Sequence, residues 1–380
     1  FFGKREWLNS LKLRASYGAV GNSAIDPYQT IAGLSKYDYL FGEDASNKFF
    51  AYRPSMIPNK DLGWEISRTA NFGVDFGLWN NRISGYIEGY ITKTSDLLME
   101  RTLPFFTGFS KVWQNIGKTE NKGIELNIQA NTLKTKSFSW ETTVTFARNW
   151  NKITELLGGG DIRNNSWFIG KPLQVHYNYE MIGVWQLGEE KEAQKYGAIP
   201  GDIKVKDQNN DGSIGELDKV ILGQKDPKII ASLLNSFRFG AFDASINLNM
   251  NFGSLIHPNT YASLITRDGL RWMPSNFKYW TPDNPTNEYT RADKLSGYDP
   301  FAGTGGYMKG DYIKIQDITL GYDFSKIMPK NWKILRARLY AQVRNLGYIY
   351  KACKNDVSPE APDFDYNIPT TYTMGINIDF

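Results

Sequence analysis

From Phe242 to Phe252 apolar and polar residues alternate without a break. Phe242, Ala244, Ile246, Leu248, Met250 and Phe252 lie on one side, and Asp243, Ser245, Asn247, Asn249 and Asn251 on the other. Period two over such a run predicts a β-strand whose two faces meet different surroundings. Strands of soluble sandwiches average about 5 to 6 residues, whereas a tilted strand crossing a bilayer needs about 9 to 11. The length therefore favours a membrane. The last segment repeats the pattern, with Tyr372, Met374, Ile376, Ile378 and Phe380 opposed to Thr371, Thr373, Gly375, Asn377 and Asp379.

Further strands are expected at Leu11 to Ala19, Trp64 to Trp79, Arg82 to Thr94, Lys118 to Thr132, Ser137 to Trp150, Gln174 to Trp185, Ile229 to Gly240, Asp311 to Phe324 and Lys333 to Leu346. Tight turns such as Asn80-Asn81 and Gly240-Ala241 alternate with long excursions near residues 20–63, 95–117, 186–228, 255–310 and 347–369. Bacterial membrane barrels have short periplasmic turns and long outer loops, so this alternation gives each strand a direction. Ser137 to Trp150 and Gln174 to Trp185 would then both run outward, which an antiparallel meander forbids. A weak inward strand between Asp161 and Ile169 is needed, and the expected total becomes about twelve. The fold class is all-β: a transmembrane antiparallel β-barrel.

Composition agrees. The 380 residues include 35 Gly, 22 Phe, 22 Tyr and 11 Trp, a mixture suited to strands and turns. No stretch approaches the ~18 consecutive apolar residues of a membrane helix, a test that says nothing about strands. Lys and Arg number 44 against 40 Asp and Glu, a net charge of +4 spread evenly, which gives no nucleic-acid footprint. One cysteine, Cys353, allows no intrachain disulfide. His176 and His257 lie far apart in sequence and do not suggest a zinc site. The chain begins Phe1-Phe2-Gly3-Lys4 without a signal peptide, and an upstream part is expected.

Two motifs carry candidate chemistry. Asp207, Asn209 and Asp211, the Ser213 carbonyl and Asp218 stand at positions 1, 3, 5, 7 and 12 of an EF-hand-type calcium loop, with Gly212 at position 6. Position 12 is Asp in place of the usual bidentate Glu, so the expected site is weak and structural. The competing reading is a loop of Asx turns that holds no metal. Aromatic residues also populate the long excursions. Trp185, Trp272, Tyr279 and Trp280 are the candidate substrate-binding rings, able to stack on sugars, against an alternative role in a membrane-interface girdle or in loop packing. No nucleophile elbow, phosphate-cradling loop or positioned pair of carboxylates appears, so no catalytic residue is assigned.

Seven segments, in order along almost the whole chain, resemble the SusC-like family of TonB-dependent outer-membrane transporters. They are Leu11–Asn22 (LKLRASYGAVGN), Asn121–Glu125 (NKGIE), Gly183–Gln186 (GVWQ), Pro200–Ile203 (PGDI) leading into the Asp207 loop, Gly310–Tyr322 (GDYIKIQDITLGY), Arg344–Leu346 (RNL) and the terminal strand. The resemblance implies a barrel of roughly 22 strands plugged by an N-terminal domain, capped by a SusD-like surface lipoprotein and driven by TonB. Residues 1–380 would be its C-terminal part, without the plug and the first strands. Its cargo would be an oligosaccharide, with a peptide as the alternative and with outer-membrane lipid around the wall. A secreted all-β glycan-binding protein would share the aromatics and the calcium loop but not the long lipid-compatible faces.

Overall fold

The computed structural model describes residues 7–23, 30–31, 33–41, 47–266, 277–291, 301, 303–325, 327–329, 334–363 and 368–379. The chain leaves β1 (Leu8–Asn22) for an excursion carrying the hairpin β2 (Leu34–Phe41) and β3 (Asn47–Pro54), then returns in β4 (Glu65–Leu78) and turns into β5 (Ile83–Ser95). A second excursion carries β6 (Leu98–Thr102) and β7 (Lys111–Asn115), before β8 (Lys118–Lys134) and β9 (Phe138–Glu155). The third carries β10 (Val175–Tyr179), β11 (Met181–Val184), α1 (Glu190–Lys195), β12 (Ile203–Val205) and β13 (Lys219–Gln224). It ends at β14 (Ile229–Phe239) and β15 (Phe242–Phe252). The fourth carries β16 (Leu255–Ile256), α2 (Asn259–Thr266) and β17 (Met308–Lys309), followed by β18 (Tyr312–Asp323), β19 (Arg336–Lys351), a fifth excursion and β20 (Thr371–Asp379).

Ten of these strands form one antiparallel sheet in the order β1-β4-β5-β8-β9-β14-β15-β18-β19-β20. Each pairs with its neighbour along the chain, as a meander requires. Register settles which side chains share a face. Ala231 lies opposite Met250 and Leu233 opposite Leu248, while Phe146 pairs with both Ala231 and Leu126. Leu126 continues to Ile87, Ile87 to Val74 and Val74 to Leu13, so one apolar face crosses the sheet from β15 to β1. The opposite face is polar and bonded to itself. Thr145 meets Ser232, Asn247 donates to Asp317 Oδ2 at 3.2 Å, and Arg14 pairs with Asp75 at 2.9 Å and Glu88 at 2.8 Å. The alternation read from Phe242–Phe252 thus holds across the wall: Ala244, Ile246, Leu248 and Met250 lie on the apolar face, and Asn247 and Asn249 on the polar one.

Two turns show why particular residues stand there. Asn80 and Asn81 take φ of 58° and 57° between β4 and β5, a left-handed conformation that asparagine tolerates better than most. On the polar face a Cβ at Gly123 would come within 2.3 Å of the Tyr90 ring, so the bare backbone of β8 lets the tyrosine of β5 lie flat across it.

The expected count of about twelve wall strands is corrected to ten among the described residues. Gln174 to Trp185 is not a wall strand. It divides into β10 and β11, whose partners are β13 and β12 inside the same excursion. The segment from Asp161 to Ile169 contributes only isolated bridges, Ile162 with Trp167 and Ile153 with Ile169. β9 pairs directly with β14, Arg148 opposite Ile229, so directions alternate without an added strand. The pattern misled because a half-buried loop hairpin also alternates apolar and polar residues.

Candidate functional site

The outer excursions hold one another by their side chains. The indole N–H of Trp280, in the fourth excursion, donates to Gln186 Oε1 of the third at 2.8 Å, and Gln186 Nε2 donates back to the Thr286 carbonyl at 3.1 Å. The Val184 amide donates to Asn287 Oδ1 at 3.2 Å, and Arg291 forms an ion pair with Asp202 at 2.7 Å. The fifth excursion docks on the fourth: Asn355 Nδ2 donates to the hydroxyls of Tyr261 at 2.9 Å and Tyr289 at 3.2 Å, over a core that includes Tyr279, Cys353 and Val357. It also reaches the wall, where Lys314 of β18, only 3% exposed, meets Glu360 at 2.8 Å and Tyr348 OH donates to the same carboxylate at 2.7 Å.

This packing changes the role of the predicted rings. Trp185, Tyr279 and Trp280 are buried. Trp185 stacks on Tyr196, with Lys204 Nζ 4.2 Å over its ring, and Tyr279 packs in the aromatic core. Apolar rings release most free energy by leaving water, and here they do so against protein, so their faces are not open to a sugar. Trp272 lies outside the described residues. The exposed rings of the outer layer are others: Phe105 and Phe106, 99% and 88% exposed beyond β6, and those of the β2–β3 hairpin, such as Tyr39, Phe50 and Tyr52.

The Asp207 loop is closed by hydrogen bonds. Asp207 Oδ2 accepts the Gly212 amide at 2.9 Å, Asn209 Oδ1 that of Asp211 at 3.0 Å, and Asp211 Oδ1 both the amide and hydroxyl of Ser213 at 2.8 Å. The bonds from Ser213 hold the Asp211 carboxyl below its ordinary range. Asp218, 1% exposed, accepts the Gln208 amide at 2.8 Å and the Gly215 amide at 2.7 Å. Among the described residues no three acidic, histidine or cysteine side chains converge as a metal cluster. Yet Asp207 Oδ1 is buried and lacks a hydrogen-bond partner, and the oxygen donors are of the kind calcium takes.

Sequence distance concealed one cluster. The rings of His176 and His257 lie 6.3 Å apart with Tyr307 against both, at 5.1 and 4.2 Å. Their Nε2 atoms donate to the Leu255 carbonyl at 2.9 Å and the Gly303 carbonyl at 2.8 Å. Burial lowers the His176 pKa below 6.5, and Lys225 and His257 nearby act in the same direction. Only the pairing of β10 with β13 brings His176 to this joint, and no spacing rule in the sequence signals it.

The model of the TonB dependent receptor-like β-barrel family matches residues 6–346. The chain belongs to that family. TonB-dependent receptor P26 of Formosa agariphila is 28% identical over all of this chain, and TonB-dependent receptor SusC of Bacteroides thetaiotaomicron is 28% identical over 98% of it. The chain spans about 40% of the length of these curated relatives, 41% of the first and 38% of the second. Among solved structures, the RagAB peptide transporter superposes on 100% of the chain and 42% of its own with a TM-score of 0.80 at 23% identity, which shows a shared fold. A TonB-dependent receptor barrel lies in the outer membrane. The apolar face from Leu13 to Met250 is therefore the lipid side.

Proposed function

We propose that this chain forms ten wall strands and the outer loops of a TonB-dependent importer that carries neutral oligosaccharides. The observation that supports this cargo is the lumen side of the wall. It is rich in uncharged hydrogen-bonding groups (Asn127, Gln129, Thr145, Ser232, Asn249 and Gln342 among them), while charges such as Arg14, Asp75 and Glu88 are paired with each other. Such a surface suits a hydroxyl-rich solute. Import needs no covalent step, and no residue here is assigned to one. Among the described residues β1 and β20 are the edges of the sheet and do not pair with each other. A bilayer does not tolerate unpaired strand edges, so strands from the N-terminal half close the barrel. That half also supplies the plug and the contact with TonB, and a SusD-like lipoprotein caps the exposed outer rings.

Peptide cargo is the second reading, favoured by the fold shared with a peptide transporter. Calorimetric titration of the full-length protein with its lipoprotein, against panels of neutral oligosaccharides and of peptides, separates the two. Binding of peptides and of no oligosaccharide would sink the first.

The Asp207 loop is proposed to bind calcium. Asp207, Asn209, Asp211, Asp218 and the Ser213 carbonyl would hold the ion once Asp211 turns from Asn209, which now donates to it at 2.8 Å. The ion would staple the third excursion and supply no chemistry to a reaction.

A further inference from the structure

The lipid side of the wall is apolar along most of its height but not at its outer end between β4 and β9. Cross-strand register there places Arg68 beside Lys93, Lys93 beside Glu120 and Glu120 beside Lys152. The next row inward runs Ala70, Ile91, Lys122, Trp150, and the one below it Phe72, Gly89, Ile124, Arg148. Phe72 and Ile124 continue the lipid face, so the cations of these rows point away from the lumen, where cargo cannot reach them. They stand near the starts of β4 and β8 and the ends of β5 and β9, all at the side of the long excursions.

Ion pairing does not account for them. Arg68, Lys93, Lys122, Arg148 and Lys152 are all exposed, and one carboxylate, Glu120, serves Lys122 at 3.0 Å and Lys152 at 3.3 Å. Arg68 reaches the Ser95 hydroxyl at 3.4 Å, Arg148 lies over Trp150, and Lys93 has no ion-pair partner among the described residues. Like charges directly opposite on a sheet destabilise it, which makes the Arg68–Lys93 pair costly unless an anion lies between them. Their counterparts on the lipid side of β14, β15, β18 and β19 are Ile229, Phe252, Ile313 and Tyr350, so the basic character is local. Beside it a groove of about 740 Å³ is lined by Tyr17, Ala70 and Ile91 below and by Arg68, Lys93, Glu120 and Lys118 above, Lys118 being paired with Glu155 at 2.7 Å, which leaves Arg68 and Lys93, among the described residues, as the cations without a carboxylate of their own. A cationic rim over an apolar trough, facing lipid, matches an amphiphile with anionic head and acyl tail.

We propose that this rim binds a phosphorylated glycolipid of the outer leaflet, its phosphates between Arg68, Lys93 and Lys122 and one acyl chain in the groove below. The test uses full-length protein in detergent, with native mass spectrometry to count bound diphosphorylated lipid A and its enzymatically dephosphorylated counterpart. Diphosphorylated lipid A should be retained and the dephosphorylated form lost. The double change Arg68→Gln with Lys93→Gln should weaken retention by roughly thirtyfold, and Lys134→Gln at the opposite rim should leave it unchanged. Heat-modifiable gel migration checks that the variants fold, and the comparison of the two lipids on unaltered protein decides even where they do not. Equal retention of both lipids overturns the proposal, as does retention undiminished in a folded double variant. So does capture of an acidic protein at the rim in place of the lipid.

Discussion

Trp280 and Gln186, separated by 94 positions in sequence, share a hydrogen bond of 2.8 Å that ties the third excursion to the fourth. Trp280 is 7% exposed, so removing its acceptor leaves an indole N–H buried without that partner. Gln186→Ala should cost the outer layer about 1 to 3 kcal/mol. Limited proteolysis should then cut within residues 186–228 sooner, while the wall keeps its heat resistance. Unchanged cleavage would show that the joint rests on other contacts.

In the wall, Leu248→Arg would put a guanidinium among Leu233, Ile315 and lipid, at about 2 to 4 kcal/mol near mid-membrane. Asn247→Arg faces the lumen beside Asp317 and should be far milder. Folding yields into lipid vesicles compare the two, and equal losses refute the assignment of faces.

The outer joint should weaken in acid. The lowered pKa of His176 means the folded state favours the neutral ring, so its stability is fully present above the unfolded value of about 6.5 and falls as pH drops toward the folded one. Hydrogen exchange at residues 175–179 and 303–309 should rise below that pH, and His176→Gln should flatten the dependence. An identical pH profile in the variant would remove His176 from the account.

Lys314 and Glu360 bind the fifth excursion to the lumen wall. Lys314→Met leaves Glu360 and Tyr348 facing each other without the cation, and because Glu360 keeps contact with water the expected loss is about 1 to 3 kcal/mol. The double variant Lys314→Met with Glu360→Gln should recover part of it. A double-mutant cycle on unfolding midpoints reads the coupling, and strict additivity would deny it.

Calcium at the Asp207 loop should protect the third excursion from protease, with chelator reversing the protection. With Asp218 at position 12, affinity should fall near 10⁻⁴ to 10⁻³ M, roughly the range of extracellular sites. Protease rates indifferent to millimolar calcium would leave the loop a set of Asx turns.

The wall was legible in sequence because its two faces meet lipid and lumen, and closure forces period two on every strand. Nearly the whole of Phe242–Phe252 could be placed from that rule. The loop layer was not legible, since its partners are set by tertiary approach. Trp185 and Trp280 have the ring chemistry of sugar platforms but are buried as packing, and His176 meets His257 through the pairing of β10 with β13, strands some forty residues apart. Gln174 to Trp185 alternates like a wall strand for the same reason: local alternation reports two environments without saying which two.

The third excursion leaves the wall at Glu155 and rejoins it at Ile229, on two strands that are already immediate neighbours. Nothing in the sheet measures how long the detour is, or what it contains. Its whole content can lengthen, shorten or be exchanged while Arg148 and Ile229 keep their places, so the part that greets the outside world can diverge at a pace that the part held in lipid never has to follow.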